Sequence, residues 1–329
     1  MSLESALEMH RNGQLDAAEA AYREILAEDE DGDAAYLLGV LRHQRGDEGE
    51  AESLLRRAIA RHDDVAHYHL ALGGVQMHRG EEAAALASFQ RALELDPNSV
   101  EAHGVLGHLS LLAGDAADAE NRFRVGRRAE EDDPTILLGL GNVYLERGEA
   151  ANAAKFLARA AEQWPDDAAI QQSLGRALFD QGAYSIAEKA FQNALKQRPD
   201  LSLSKLFLAR AYLRQDKLDE AQPLFSELAA DGQQPFGANA GLGDIARRRS
   251  QALRAFKYYR RALEIDPTHP GAIIACAWCM EFMKDHASAE RYLREGLQHA
   301  TDPQMVRVEL AKLLDAQGRA DDAAKIRAA

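Results

Sequence analysis

One 34-residue period governs this chain. An apolar residue followed by a small one recurs at Leu38-Gly39, Leu72-Gly73, Leu106-Gly107, Leu140-Gly141 and Leu174-Gly175. The series continues through Leu208-Ala209, Leu242-Gly243, Cys276-Ala277 and Leu310-Ala311, eight steps of 34 residues without insertion or deletion. A strict period in the range of roughly 20–50 residues marks arrays whose units are single supersecondary elements leaning on their neighbours.

Other positions keep the same register. Seven residues after the small residue stands a glycine, at Gly46, Gly80, Gly114, Gly148, Gly182 and Gly318, and the series lapses at Asp216, Ser250 and Lys284. Alanine follows at Ala51, Ala85, Ala119, Ala153, Ala187, Ala221, Ala255, Ala289 and Ala323, then a bulky residue such as Leu55, Phe89, Phe123, Leu157, Phe191, Phe225, Tyr259 or Leu293. Proline closes several units, at Pro97, Pro165, Pro199 and Pro267. Each unit therefore reads as two amphipathic helices of about 12–14 residues split by a glycine that can turn left-handed. The small residue of the first helix is expected to meet the alanine of the second where the two cross. Where the turn glycine lapses, Asp231-Gly232-Gln233-Gln234-Pro235-Phe236-Gly237 predicts a looser or longer connection, at which the array bends or flexes.

A 34-residue helix–turn–helix unit with this signature resembles the tetratricopeptide repeat of bacterial-type tandem arrays. The resemblance covers almost the whole chain: an atypical first repeat at 1–31, eight full repeats over 32–303 and a shortened last one at 304–329. It implies an all-α, right-handed superhelical solenoid of about ten repeats in one domain over 1–329, its concave wall lined by the first helix of each repeat. Two sub-types do not fit. A chaperone-type carboxylate clamp needs lysine three residues before the small residue, where Tyr36, Leu70 and Leu138 stand; the asparagine ladder of O-GlcNAc transferases needs asparagine at positions held by Leu37, Ala71 and Val105.

Charge narrows the partner. The 39 basic and 53 acidic residues leave a formal net charge of −14, a poor match for phosphate backbones, so nucleic acid is not expected. The imbalance lies in the first half: residues 1–168 hold 16 basic against 33 acidic residues, the rest 23 against 20. Met1 to Gly13 contains no apolar run fit for a signal peptide, and no 18-residue apolar stretch occurs, so a cytoplasmic protein without membrane insertion is expected. Two cysteines cannot make a disulfide framework.

Catalytic motifs do not emerge: no zinc-protease helix, P-loop or nucleophile elbow occurs, and the chain reads as a non-enzyme without cofactor. The glycine-rich stretch Gly237 to Gly243 lies inside a repeat and lacks the following Lys-Ser/Thr. Cys276 and Cys279 read as a packed pair of small hydrophobes. Eight of eleven histidines precede residue 110, and His10, His43, His67, His78 and His108 fall on first helices; none pairs at ligand spacing along one helix, so they read as polar lining and no metal site is expected.

The resemblance carries a groove with it. Its positions hold Tyr36, Leu70, Leu138 and Ile274; His108, Asn142, Arg176, Arg210 and Trp278; and His43, Met77, Leu145, Phe179, Leu213 and Arg247. Ile274, Trp278 and Phe282 share one helical stripe, and the preceding first helices offer Arg210, Arg214, Arg247 and Arg248. Aromatic surface beside arginine is the composition of binding hot spots. The reading is an adaptor that holds a peptide or partner protein in this groove, with self-association through the array's ends as a further expectation. The alternative is a substrate-recruiting arm of a glycosyltransferase, sulfotransferase or oxygenase, acting in trans or cut from a longer chain; the short last helix, without a clear polar cap, weighs toward the latter.

Overall fold

The computed structural model describes residues 1–328. Among them all regular structure is helical: twenty helices and no strand. They gather into two compact units, Met1–Gln163 and Trp164–Ala329. The 34-residue register runs through that boundary without a break in sequence.

The first unit pairs α1 (Leu3–Arg11) with α2 (Leu15–Glu28), α3 (Gly32–Gln44) with α4 (Glu48–Arg61), α5 (Ala66–His78) with α6 (Glu82–Leu95), α7 (Val100–Leu112) with α8 (Ala116–Ala129), and α9 (Pro134–Glu146) with α10 (Ala150–Gln163). The second pairs α11 (Ala168–Asp180) with α12 (Tyr184–Gln197), α13 (Ser202–Arg214) with α14 (Leu218–Ala230), α15 (Pro235–Arg248) with α16 (Ala252–Ile265), α17 (Pro270–Phe282) with α18 (His286–Leu297), and α19 (Pro303–Ala316) with α20 (Ala320–Ala328). Within each unit, first helices of neighbouring repeats also touch, α3 on α5 and α7 on α9 in one, α11 on α13, α13 on α15 and α17 on α19 in the other.

The turns follow from the sequence. Gly46, with φ +80°, takes the left-handed conformation between α3 and α4, and the backbone N–H groups of Gly46 and Asp47 return to the carbonyls of His43 and Arg42. Where glycine is missing the backbone does not change: Asp216, Ser250 and Lys284 hold φ of 60°, 58° and 67° at the same place. Acidic residues then cap the next helix: Asp31, Asp47, Asp115, Asp133, Asp167 and Asp285 each accept a hydrogen bond from a first-turn backbone N–H.

Two expectations change. The connection from α14 to α15 is no longer than its neighbours, four residues (231–234) like the link from α4 to α5; its difference is conformational, with Gly232 at φ +64° and Gln234 at φ +48°. The small residue of the first helix meets the bulky residue of the second most closely, with the alanine beside it: a Cβ on Gly39 would stand 3.0 Å from Leu55 Cγ and 3.3 Å from the Ala51 carbonyl oxygen. A Cβ on Gly107 would stand 2.7 Å from Phe123 Cε1, and one on Gly175 2.6 Å from Phe191 Cε1. The rings need more room than an alanine, so they decide which position must be bare. Phe123 is held from the other side by Gly139 of the next repeat, and Phe225 by Gly241. The alanines, Ala51 to Ala323, are buried beside these rings.

Candidate partner-binding walls

The residues assigned to a groove fall into two sets, one per unit. In the first, Tyr36 on α3 stacks on Tyr68 of α5, ring centroids 5.1 Å apart at 25°, and His67 meets Tyr36 edge-on at 4.8 Å. The Tyr68 hydroxyl donates to Asp33 Oδ1 at 2.5 Å. Burial first, and then the bonded Asp33 carboxylate, raises the Tyr68 phenol above its ordinary value; burial, Glu101 and Asp33 do the same for Tyr36. Both phenols therefore keep their protons, and the tyrosine pair is a neutral aromatic stack.

Further along this unit, Leu70 and Met77 are half-buried against Phe89 and Leu106. Met77 also borders an apolar hollow of about 580 Å³ with Leu86, Leu109 and Leu112, which sequence periodicity did not single out. His108 is exposed, Leu138 and Asn142 are half-buried. Leu145 is not wall surface, since only 6% of it is exposed: it stands one turn beyond Gly141, where α9 packs down on its partner. His43 and His78, on α3 and α5, sit 4.7 Å apart between ring centroids, edge to face.

The second unit carries the basic wall. Phe179 meets Phe207 edge-on at 5.4 Å and Tyr184 at 5.2 Å. The Arg210 guanidinium lies over Phe207 at 5.5 Å, and that of Arg214 over Tyr184 at 5.8 Å. Arg210 is half-buried and makes no ion pair or hydrogen bond among the described residues. Burial pushes its guanidinium below the usual arginine range; Asp244 draws it back, and the like charge of Arg214 lowers it further. Arg176 is half-buried on α11. Leu213, 7% exposed, packs inward with Phe225 and Leu242 and is core rather than wall.

Arg247 lies over the Trp278 ring at 5.5 Å, with its Nε 3.7 Å from Asp244 Oδ1. Asp244 is shared, since the Tyr259 hydroxyl donates to the same oxygen at 2.7 Å. Trp278 is half-buried, and Phe282, 50% exposed, stacks on it at 5.4 Å. Ile274, on the same stripe, packs toward Leu310 and Leu314. Arg248 turns to Asp216 at 2.8 Å, away from the aromatic pair.

Two motifs are explained by packing. Cys276 and Cys279 are buried, and burial drives their thiols up to about 12 and about 11, far from the thiolate that metal binding or redox chemistry needs. Gly237, Gly241 and Gly243 lie in α15, where a Cβ would strike Leu206, Phe225 and Tyr259, so these glycines seat side chains rather than phosphates. No helix among the described residues is long and apolar enough to cross a membrane.

Comparison with known proteins agrees with this architecture. Two tetratricopeptide-repeat models match, one over residues 6–59 and 46–100, the other over 76–137, 110–178, 144–202, 178–238 and 246–305. No curated protein matches the chain. Among solved structures it is similar to PilF of Pseudomonas aeruginosa, at 19% identity and TM-score 0.55 over 60% of this chain and 90% of that one. It is also similar to the human IFIT1 dimer with m7Gppp-AAAA, at 16% identity and TM-score 0.55 over 89% and 75% of the two chains. PilW, a widely conserved type IV pilus biogenesis factor, matches at 17% identity and TM-score 0.53 over 60% and 92%. At these identities the likeness is one of fold, but the family models span most of the sequence, and the chain belongs to the tetratricopeptide repeat family.

Proposed function

We propose that this protein is a non-catalytic interaction scaffold whose second unit holds an acidic peptide segment carrying an aromatic or aliphatic side chain. The observation that carries the reading is Arg210. A half-buried guanidinium without a bonded anion is costly, and the cost is recovered when a ligand carboxylate arrives. Arg214 and Arg247 add positive potential nearby, while Trp278 and Phe282 offer a stacked apolar face of the kind that anchors hot spots. Asp244 is engaged by Tyr259 and Arg247, so it neutralises only part of the patch.

The chain has two tryptophans, Trp164 and Trp278, so Trp164→Phe leaves the wall's own residue as the sole indole reporter. Titration of this variant with a peptide of alternating Asp/Glu and Phe/Leu should shift Trp278 emission. The same peptide with Lys in place of the acids should not. Loss of the response in Arg210→Ala supports the reading. An equal response to both peptides, or to an RNA oligonucleotide alone, overturns it.

A further inference from the structure

A second constellation of polar side chains lies in the first unit. His43 closes the last turn of α3, His78 closes the last turn of α5, and Glu48 opens α4. The Glu48 carboxylate stands between the two imidazoles: Oε2 is 2.6 Å from His43 Nδ1 and Oε1 3.4 Å from His78 Nδ1. One nitrogen from each histidine and one carboxylate oxygen lie within 4.8 Å of one another.

The surrounding acids behave differently. Glu19, Asp47, Glu50 and Glu52 each hold an arginine. Glu48 has no arginine or lysine partner among the described residues and faces two imidazoles instead. A carboxylate flanked by two imidazole Nδ1 atoms, with no fixed cation beside it, brings three ligand atoms together at one place. We propose that His43, Glu48 and His78 bind a borderline divalent cation of the zinc type.

The donors select the ion. Two imidazole nitrogens and one carboxylate oxygen suit zinc and its neighbours, whereas magnesium and calcium require oxygen-rich cages. Tetrahedral zinc with bonds of about 2.0–2.1 Å needs donors spaced by roughly 3.3 Å. His78 Nδ1 is 3.4 Å from Glu48 Oε1 and His43 Nδ1 2.6 Å from Oε2, and the three ligand atoms lie within 4.8 Å of one another, so an ion would draw both imidazoles toward one oxygen of Glu48. His78, whose side chain is 68% exposed, has room for the larger adjustment, and the half-buried His43 and Glu48 make the smaller one. Three protein donors leave a fourth position open to water or to a donor group of a bound partner. The ion would tie α3, α4 and α5 together, cross-linking two adjacent repeats at the ends of their first helices.

The test uses full-length, tag-free protein stripped with a chelator, titrated with zinc by calorimetry and with cobalt by visible absorption. We expect one saturable equivalent and the intense d–d bands of tetrahedral cobalt. His43→Ala and His78→Ala should each weaken zinc by at least about tenfold, the loss that even outer-sphere changes cause at histidine sites. Glu48→Gln should do the same, while exposed His286→Ala, on α18, should leave affinity unchanged. His78 is a surface residue, so its variant remains folded and decides the matter if His43→Ala does not. Absence of saturable binding, or a stoichiometric site indifferent to His78→Ala, overturns the proposal.

Discussion

Arg247 covers one face of Trp278 with its guanidinium carbon 5.5 Å from the ring centroid, while Phe282 stacks on the same indole at 5.4 Å. The indole is thus oriented before any ligand arrives, which lowers the ordering cost of binding. Trp278→Ala should weaken the acidic peptide by about 2 kcal/mol or more, as truncation of a hot-spot aromatic does. Arg247→Ala should weaken it more at low salt than at high salt, because its contribution is screened. Both follow from peptide anisotropy titrations across ionic strength; unchanged affinity in a folded Trp278→Ala protein removes this wall from consideration.

Gly107 tests the ring–glycine packing. A methyl group there would sit 2.7 Å from a ring carbon of Phe123, which is itself hemmed in by Gly139. Gly107→Ala should therefore destabilise by about 1–3 kcal/mol through overpacking, despite alanine's higher helix propensity. Adding Phe123→Leu should recover part of the loss. Urea midpoints of the single and double variants measure both effects.

The left-handed turns without glycine make the opposite prediction. Ser250 holds φ 58° and Lys284 φ 67°, a conformation that crowds a Cβ. Ser250→Gly and Lys284→Gly should each stabilise by roughly 0.5–1 kcal/mol, the relief of strain outweighing the added freedom of the unfolded chain. A drop in thermal midpoint for both would show that the side chains contribute more than the strain they cause.

The cysteines predict a pH response. Burial raises the Cys276 thiol from its ordinary value near 9 to about 12 and that of Cys279 to about 11. The folded state keeps these protons where the unfolded chain loses them. Their contribution to stability is complete below about pH 9 and declines as pH climbs through 11 to 12. A disulfide reagent at pH 8 should react with neither thiol in native protein and with both after denaturation; fast native reaction would contradict the burial.

Much of this architecture is legible in the sequence because the repeat leaves little freedom. A period of 34 residues, an apolar–small pair and a turn glycine together place the helix pairs of the nine repeats from Leu38-Gly39 to Leu310-Ala311, while the atypical first repeat lacks the pair. Depth is harder to read. Leu145 and Leu213 share a register position with the half-buried Met77 and Phe179, yet both are buried, because periodicity gives an angle around the helix and not the distance to the next one. The His43–Glu48–His78 group leaves no ligand spacing along any single helix because its members come from three of them. The signal is present all the same: His43 and His78 are 35 residues apart, one repeat plus one position, which places them on neighbouring first helices.

The seating of each ring in two repeats gives the array a fixed order. Phe123 rests against Gly139, Phe225 against Gly241, whereas Phe191 stacks on Phe207 at that same register position, 5.8 Å away. Repeats that look like copies in sequence are therefore keyed to their successors. Transplanting the repeat that carries Phe207 to follow Phe123 would drive two aromatic rings into a space made for one, and a shortened or reshuffled array would have to be cut where the key fits the lock on both sides.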